Sequence, residues 1–236
     1  MSPLPPAVRV AGMEKWFGDG DARIHVLKSV DLDVASGSMT FLVGPSGCGK
    51  TTLISAMTGL LTPDSGSVEV FGTAITALHG RELTELRGRI TGFIFQQFNL
   101  LPALDAVENA AVPLLILGRT QQEANHRARA LLERLGMAPH LRKFPAQLSG
   151  GQQQRVAIAR ALIHEPRVVV CDEPTASLDA EAGHAVMELL REIAVAPERA
   201  VVVVTHDTRI FGFADRIAHM SDGEIVKLDE HPGKAD

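Results

Sequence analysis

The chain has 236 residues, 45% of them apolar and 22% charged, with a net charge of −5, which is enough for one large or two small globular domains and carries no bulk basic field for nucleic acid. Two cysteines, Cys48 and Cys171, support neither a disulfide framework nor a zinc site and are expected to be reduced structural thiols. No apolar run approaches the ~20 residues that cross a bilayer, and the longest, Ala110–Leu117, is interrupted by Pro113.

At the start, Met1–Pro6 holds three prolines and no charged segment before an apolar core, so it does not read as a signal peptide. The chain is therefore expected in the cytoplasm, with any membrane crossing supplied by a separate protein. Val8–Phe17 and Val26–Val34 read as strands separated by the turn cluster Gly18-Asp19-Gly20-Asp21. With Val68-Glu69-Val70-Phe71, flanked by Gly66 and Gly72, they predict an antiparallel layer. The continuous apolar runs Thr40–Val43, Val168–Cys171 and Val201–Val204 suit strands buried on both faces of a parallel sheet. Between them, Leu53–Leu60, Leu104–Leu117, Gln121–Leu135 and Gln152–Ile163 have helical spacing, with Asp105 as a cap and Gly118, Gly136 and Pro166 as stops. Alternating strands and helices indicate an α/β core. A helical subdomain is expected at about 98–160, inserted between core segments at about 1–97 and 161–236, and the tail beyond Leu228 is expected to fray.

Chemistry enters at Gly44-Pro45-Ser46-Gly47-Cys48-Gly49-Lys50-Thr51, which matches G-x-x-x-x-G-K-[ST] between a strand and a helix. The glycines let the backbone wrap closely so that its N–H groups form an anion nest, and the helix N-terminus adds about half a positive charge. Lys50 is expected to reach the β- and γ-phosphates of a nucleotide and the Thr51 hydroxyl to ligate Mg²⁺, with Thr52 next in the same turn. This pattern predicts a P-loop NTPase (RecA-like) core with a parallel sheet, the N-terminal antiparallel β layer and the inserted helical subdomain.

Downstream, Val168–Cys171 runs into Asp172-Glu173-Pro174. Asp172 at a strand end suits Mg²⁺ held through water, and Glu173 suits orienting and deprotonating an attacking water. His206, in Val204-Thr205-His206-Asp207, has two readings. It either bonds the γ-phosphate at the sheet's carboxyl edge or simply precedes a helix that Asp207 caps.

The phosphate loop, Leu148-Ser149-Gly150-Gly151-Gln152, Asp-Glu-Pro and Thr-His-Asp, in this order and spacing, resemble the ATP-binding subunits of ABC transporters over about residues 7–228. The resemblance implies an ATP hydrolase with ATP and Mg²⁺ as ligands, driving separate transmembrane permease subunits from the cytoplasmic face of the cell (inner) membrane. It implies that Ser149, Gly150 and Gly151, with Gln152, bind the γ-phosphate of ATP held by a second copy of the chain, in a head-to-tail homodimer. Gln96, with Gln97 as its neighbour, matches the glutamine that senses Mg²⁺ and the attacking water. Phe17 matches the ring that stacks on adenine, with Trp16 adjacent. Asp179 of Ala176-Ser177-Leu178-Asp179 matches the loop at the subunit seam, although Ala-Ser stands where Ser-Ala is more usual. The stretches from Gln96 to Pro102 and from Glu108 to Leu114 look like the macrolide-export and lipoprotein-release branch, and Phe98, Leu100, Leu101 and Pro102 are a candidate permease contact or else helical core. A soluble, non-transport ABC ATPase is the alternative; the coiled coils, zinc insertions or second cassette common in that class are not seen in this sequence.

Overall fold

The structure is a computed structural model that describes residues 6–230. The residues read as lacking a signal peptide therefore lie outside the description up to residue 5, as does the tail from 231. The chain packs as two compact units. One comprises the residues up to 87 and from 195 on, and the other residues 88–194.

In the first unit, β1 (Val8–Phe17) pairs antiparallel with β2 (Ile24–Val34) and β4 (Ser65–Val70), and β4 pairs with the short β5 (Thr73–Ala74). This is the expected antiparallel layer. Its buried face, Val8, Val10 and Met13 against Leu27, Val30, Leu32 and Val34, breaks strict alternation where the register shifts. Next to it in sequence, β3 (Met39–Val43) is buried at every position. It runs parallel to both β8 (Ala200–Val204) and β9 (Arg216–Ser221), while β10 (Glu224–Glu230) returns antiparallel along β9. Fraying thus does not begin at Leu228, because β10 continues to Glu230. The helix α1 (Lys50–Met57) follows β3 and buries Leu53, Ile54, Ala56 and Met57. It starts three residues before the expected Leu53 and ends at Met57, where Gly59 (φ +70) turns the chain. The polar helix α2 (Gly80–Ile90) has no fully buried residue; its apolar stripe, Leu83, Leu86 and Ile90, is half-buried.

The second unit pairs β6 (Thr91–Ile94) parallel to β7 (Val168–Asp172). Four helices accompany them: α3 (Ala106–Ile116), α4 (Gln121–Arg134), α5 (Gly150–Leu162) and α6 (Ala180–Ala194). α5 is the hub, packing against α3, α4, α6 and β6. The first three helices lie within a few residues of their expected ranges. Pro113 does not interrupt α3, which runs through it. α6, β6, β9 and β10 were not anticipated.

The start of α3 is fixed by side chains. Asp105 Oδ1 accepts the Glu108 N–H at 2.9 Å and Glu108 Oε2 accepts the Asp105 N–H at 2.9 Å, a reciprocal capping box. The Ala106 and Val107 N–H groups donate to the Lys143 and Leu141 carbonyls. One turn in, the buried Asn109 accepts the Leu101 N–H at 2.7 Å and donates to the carbonyls of Leu101, Leu104 and Asp105. The irregular segment 101–105 thus finds its partners in one amide side chain. Asn109→Leu keeps the volume but strands these groups. We expect a loss of about 1–3 kcal/mol, measured as a fall in thermal midpoint of roughly 2–10 °C.

Candidate functional site

The phosphate loop leaves the carboxyl end of β3 and closes on α1. Gly44 packs so closely that a Cβ there would stand 2.1 Å from the Met220 carbonyl oxygen. Gly49, at φ +106, is the N-cap of α1 and places no side chain on it. The first intrahelical bond runs from Leu53 N–H to Gly49 O at 2.9 Å, so the N–H groups of Lys50, Thr51 and Thr52 have no partner within the helix. Lys50 Nζ donates to the carbonyls of Gly44 at 2.8 Å and Pro45 at 2.9 Å, which holds the ammonium at the mouth of its own loop. Pro45, Ser46, Gly47 and Thr51 are exposed, whereas Cys48 and Gly49 are buried. The loop is therefore a positively polarised, solvent-open concavity of backbone N–H groups with a lysine beside it, as an anion site requires.

His206 joins this edge. Leu42 of β3 is paired with Val204 of β8, and the Thr205 N–H donates to the Leu42 carbonyl at 3.2 Å. The loop after β3 and the exposed His206 after β8 thus leave neighbouring parallel strands at the same end. Asp207 does cap, as the second reading required, but the capped element is the short 3₁₀ turn Thr208–Phe213. Its carboxylate binds the Arg209 guanidinium at 2.8 Å, and that bond draws its pKa below the usual carboxylate range.

The aromatic pair at the end of β1 separates into two roles. Trp16 is stacked on His25 at 3.7 Å between ring centroids, and the Arg23 guanidinium lies 4.6 Å from the Trp16 ring. Phe17 is 43% exposed and has only the Lys15 ammonium at 5.5 Å over its ring. Of the two rings, Phe17 is the more exposed.

In the second unit the carboxyl ends of β6 and β7 are aligned, with Ile94 paired to Cys171, so Phe95-Gln96 and Asp172-Glu173 emerge side by side. Glu173 has φ +50, a left-handed backbone that costs a non-glycine residue about 1–2 kcal/mol. Strain of this kind at a strand end is a mark of function. Burial, and then the Asp172 charge, push the Cys171 thiol up to about 12, which keeps it protonated and inert as expected.

The turn Ser149-Gly150-Gly151 opens α5. Ser149 Oγ accepts the Gln152 N–H at 3.3 Å, and Gln152 Oε1 accepts the Ser149 N–H at 3.0 Å. This box consumes one of the helix's orphan donors and leaves the Gly150 and Gly151 N–H groups and the Ser149 hydroxyl proton for an acceptor. A Cβ on Gly150 would lie 3.4 Å from Leu178 Cδ2, 3.8 Å from the Ser177 carbonyl and 4.0 Å from Phe98 Cζ. Ser177 Oγ donates to the Gln96 carbonyl at 3.4 Å. Asp179 caps α6 through the Ala182 N–H at 2.8 Å, a structural task that the sequence reading did not assign to it.

Each unit therefore gathers a set of the expected residues. The first collects Gly44–Thr52 and His206. The second collects Gln96, Asp172, Glu173, Ser149–Gly151 and the Ser177–Asp179 loop. Phe98 is half-buried beside Gly150, so of the apolar cluster only Leu101 and Pro102 are exposed. Among the described residues no three His, Cys, Asp or Glu side chains form a metal cluster. The Thr51 hydroxyl, Asp172 carboxylate and Gln96 amide are all hard oxygen donors, and the exposed Thr51 stands in the first turn of α1. Mg²⁺ takes one or two protein carboxylates with substrate phosphates rather than a protein cage, and each of these donors is of the kind it accepts. Arg160 and Asn109, which hold the segment after Gln96, escaped the sequence reading because long-range bonds from helical side chains to carbonyls leave no spacing signal.

Comparison with known proteins agrees with this geometry. Residues 27–176 match the ABC transporter family. The lipoprotein-releasing system ATP-binding protein LolD of a Shewanella species is 42% identical over 95% of this chain and 97% of its own length. The macrolide export ATP-binding/permease protein MacB of Agrobacterium fabrum is 42% identical over 94% of this chain. The chain spans only 34% of that protein and 62% of a mycobacterial relative. A dimeric ATP-binding cassette, solved in a post-hydrolysis state with ADP and Pi, superposes with a TM-score of 0.85 at 37% identity, covering 96% of this chain and all of that one. The fold is accordingly that of a P-loop NTPase cassette, and the chain belongs to the ABC transporter ATP-binding family.

Proposed function

We propose that the chain binds and hydrolyses ATP to drive a separate transmembrane permease, working as a head-to-tail pair of identical copies around two ATP molecules. The observation that carries this reading is the pair of helix N-termini, α1 and α5, that begin on glycine turns with backbone N–H groups left over, whereas every early N–H of α3 is matched by protein. The α1 end and Lys50 take the phosphates, and the exposed Phe17 ring stacks on adenine. The α5 end, with Ser149, takes the γ-phosphate of ATP bound to the other copy. The dimeric cassette similar to this chain, with its ADP and Pi, supports that arrangement.

Glu173 orients and deprotonates the attacking water, and His206 donates a hydrogen bond to the γ-phosphate that fixes it. Thr51, Asp172 and Gln96 would hold Mg²⁺, which neutralises charge developing on the phosphates when bound. Loss of the γ-phosphate removes the contact to the α5 end and lets the pair separate.

Among the described residues no helix is long and apolar enough to cross a membrane. We place the chain on the cytoplasmic face of the cell membrane, held there by its permease. The exposed Leu101 and Pro102 after the Gln96 segment are the permease contact. Likeness to LolD and MacB favours the branch that exports cargo or releases lipoproteins over a soluble, non-transport ATPase.

Three substitutions test the reading. Lys50→Ala should weaken nucleotide binding at least tenfold by calorimetry and abolish turnover above background. Glu173→Gln should lower kcat by about 10²–10⁴ while keeping ATP affinity, and should elute as a dimer with ATP; a monomer under those conditions would sink the two-copy mechanism. Ser149→Ala should cut turnover and ATP-driven dimerisation by about tenfold, the loss of one charge-assisted bond of roughly 1.5 kcal/mol, and leave monomer ATP affinity within twofold.

A further inference from the structure

Directly after Gln96-Gln97, two consecutive non-glycine residues, Phe98 (φ +55) and Asn99 (φ +49), occupy the left-handed region. Asparagine visits it readily, but phenylalanine does not. Such backbone persists only where its surroundings over-determine it. The determinant here comes from α5. Arg160 Nη1 donates to the Asn99 carbonyl at 2.5 Å and Nη2 to the Phe98 carbonyl at 2.6 Å. Both bonds come from one planar fork, a geometry that an ammonium cannot reproduce.

Burial pulls the Arg160 pKa down, yet a guanidinium stays charged in proteins, so the two carbonyl dipoles stand in for lost water. The same short segment is held at two further points. The Phe98 ring lies against Gly150 and the Ser177 hydroxyl donates to the Gln96 carbonyl. Arg160 and Gly150 are ten residues apart on one continuous helix, about 15 Å along its axis. The Phe98 turn therefore touches α5 at both ends, at the signature glycines and at the guanidinium.

We infer that Arg160 is a positioning residue for ATP hydrolysis: its fork locks the strained Phe98–Asn99 turn to α5, so that Gln96 and the Ser149-Gly150-Gly151 turn are carried as one rigid piece. Phosphate contact made by the signature turn is thereby transmitted to Gln96, and a shift of Gln96 reaches the signature turn. The inference rests on the ATPase reading above and adds to it a residue that touches neither nucleotide nor water.

The test uses the full chain with Arg160→Met and the milder Arg160→Lys. We expect kcat to fall at least tenfold in both, with KM for ATP and monomer ATP affinity within twofold of wild type. Amide hydrogen exchange should rise at least tenfold over residues 96–99 and stay unchanged over 153–160. A kcat within twofold of wild type, or exchange that spreads along α5, would each overturn the inference. An inactive wild type would sink the ATPase reading instead, and the exchange measurement would still decide whether Arg160 holds the turn.

Discussion

A helix must begin, and its first N–H groups must find acceptors that the helix cannot supply. The functional part of this chain follows from how that requirement is met at three places. At α3 the protein meets it in full, with Asp105, Lys143 and Leu141 as acceptors. At α1 the cap is Gly49, which has no side chain to offer. At α5 the Ser149–Gln152 box meets it in part. The unmet donors at α1 and α5 stand close to the exposed Gly47 and Ser149, so solvent or an anion completes them. An ATP phosphate chain with several negative oxygens is a far better acceptor than water, and this preference underlies the proposed closure of two copies around nucleotide.

Holding such ends in place demands stiffness elsewhere, and the structure supplies it with polar clamps. The loop that leaves β6 has irregular backbone from Phe95 to Asp105, and irregular backbone needs acceptors and donors of its own. Asn109 serves its far end and Arg160 its near end. Between the two, Phe98 inserts its ring beside Gly150. A Cβ at Gly150 would fit without collision, 3.4 Å from Leu178, so an alanine is not excluded there by internal packing. In the proposed pair its use would be to let a phosphate approach the backbone closely.

The legibility of the sequence followed the physics. Strands buried on both faces, β3, β7 and β8, announced themselves as continuous apolar runs. Motifs whose residues are consecutive, such as Gly44–Thr51 and Leu148–Gln152, were readable because a loop that wraps a phosphate must be local. β6 was not readable, since Thr91-Gly92-Phe93-Ile94 is four residues long and Gly92 is there for a close approach, a Cβ being 2.2 Å from the Ala161 carbonyl. α2 carries a short stripe, Leu83, Leu86 and Ile90, that is only half-buried and was passed over among the charged residues around it. α6 does carry a stripe, Val186, Met187, Leu190 and Ala194, but its start depends on Asp179, whose capping role was hidden behind its family role. The choice between Phe17 and Trp16 needed coordinates, because only the cross-strand partner His25 shows which ring is already covered.

Reversibility of the proposed dimer can be argued from magnitudes. Each signature turn offers three donors, the Ser149 hydroxyl and the Gly150 and Gly151 N–H groups. Hydrogen bonds to a charged acceptor contribute roughly 1.5–3 kcal/mol each, so two sites yield on the order of 9–18 kcal/mol. Association of two proteins costs an estimated 4–15 kcal/mol in lost freedom. The two quantities are of the same order, so the nucleotide contacts can decide whether the proposed pair closes. Removing one γ-phosphate forfeits half of that gain, about 4.5–9 kcal/mol, an amount comparable with the association cost itself. Hydrolysis at one site would therefore weaken the proposed pair, and on the inference drawn for Arg160 the loss of that phosphate would be felt at Gln96 as well.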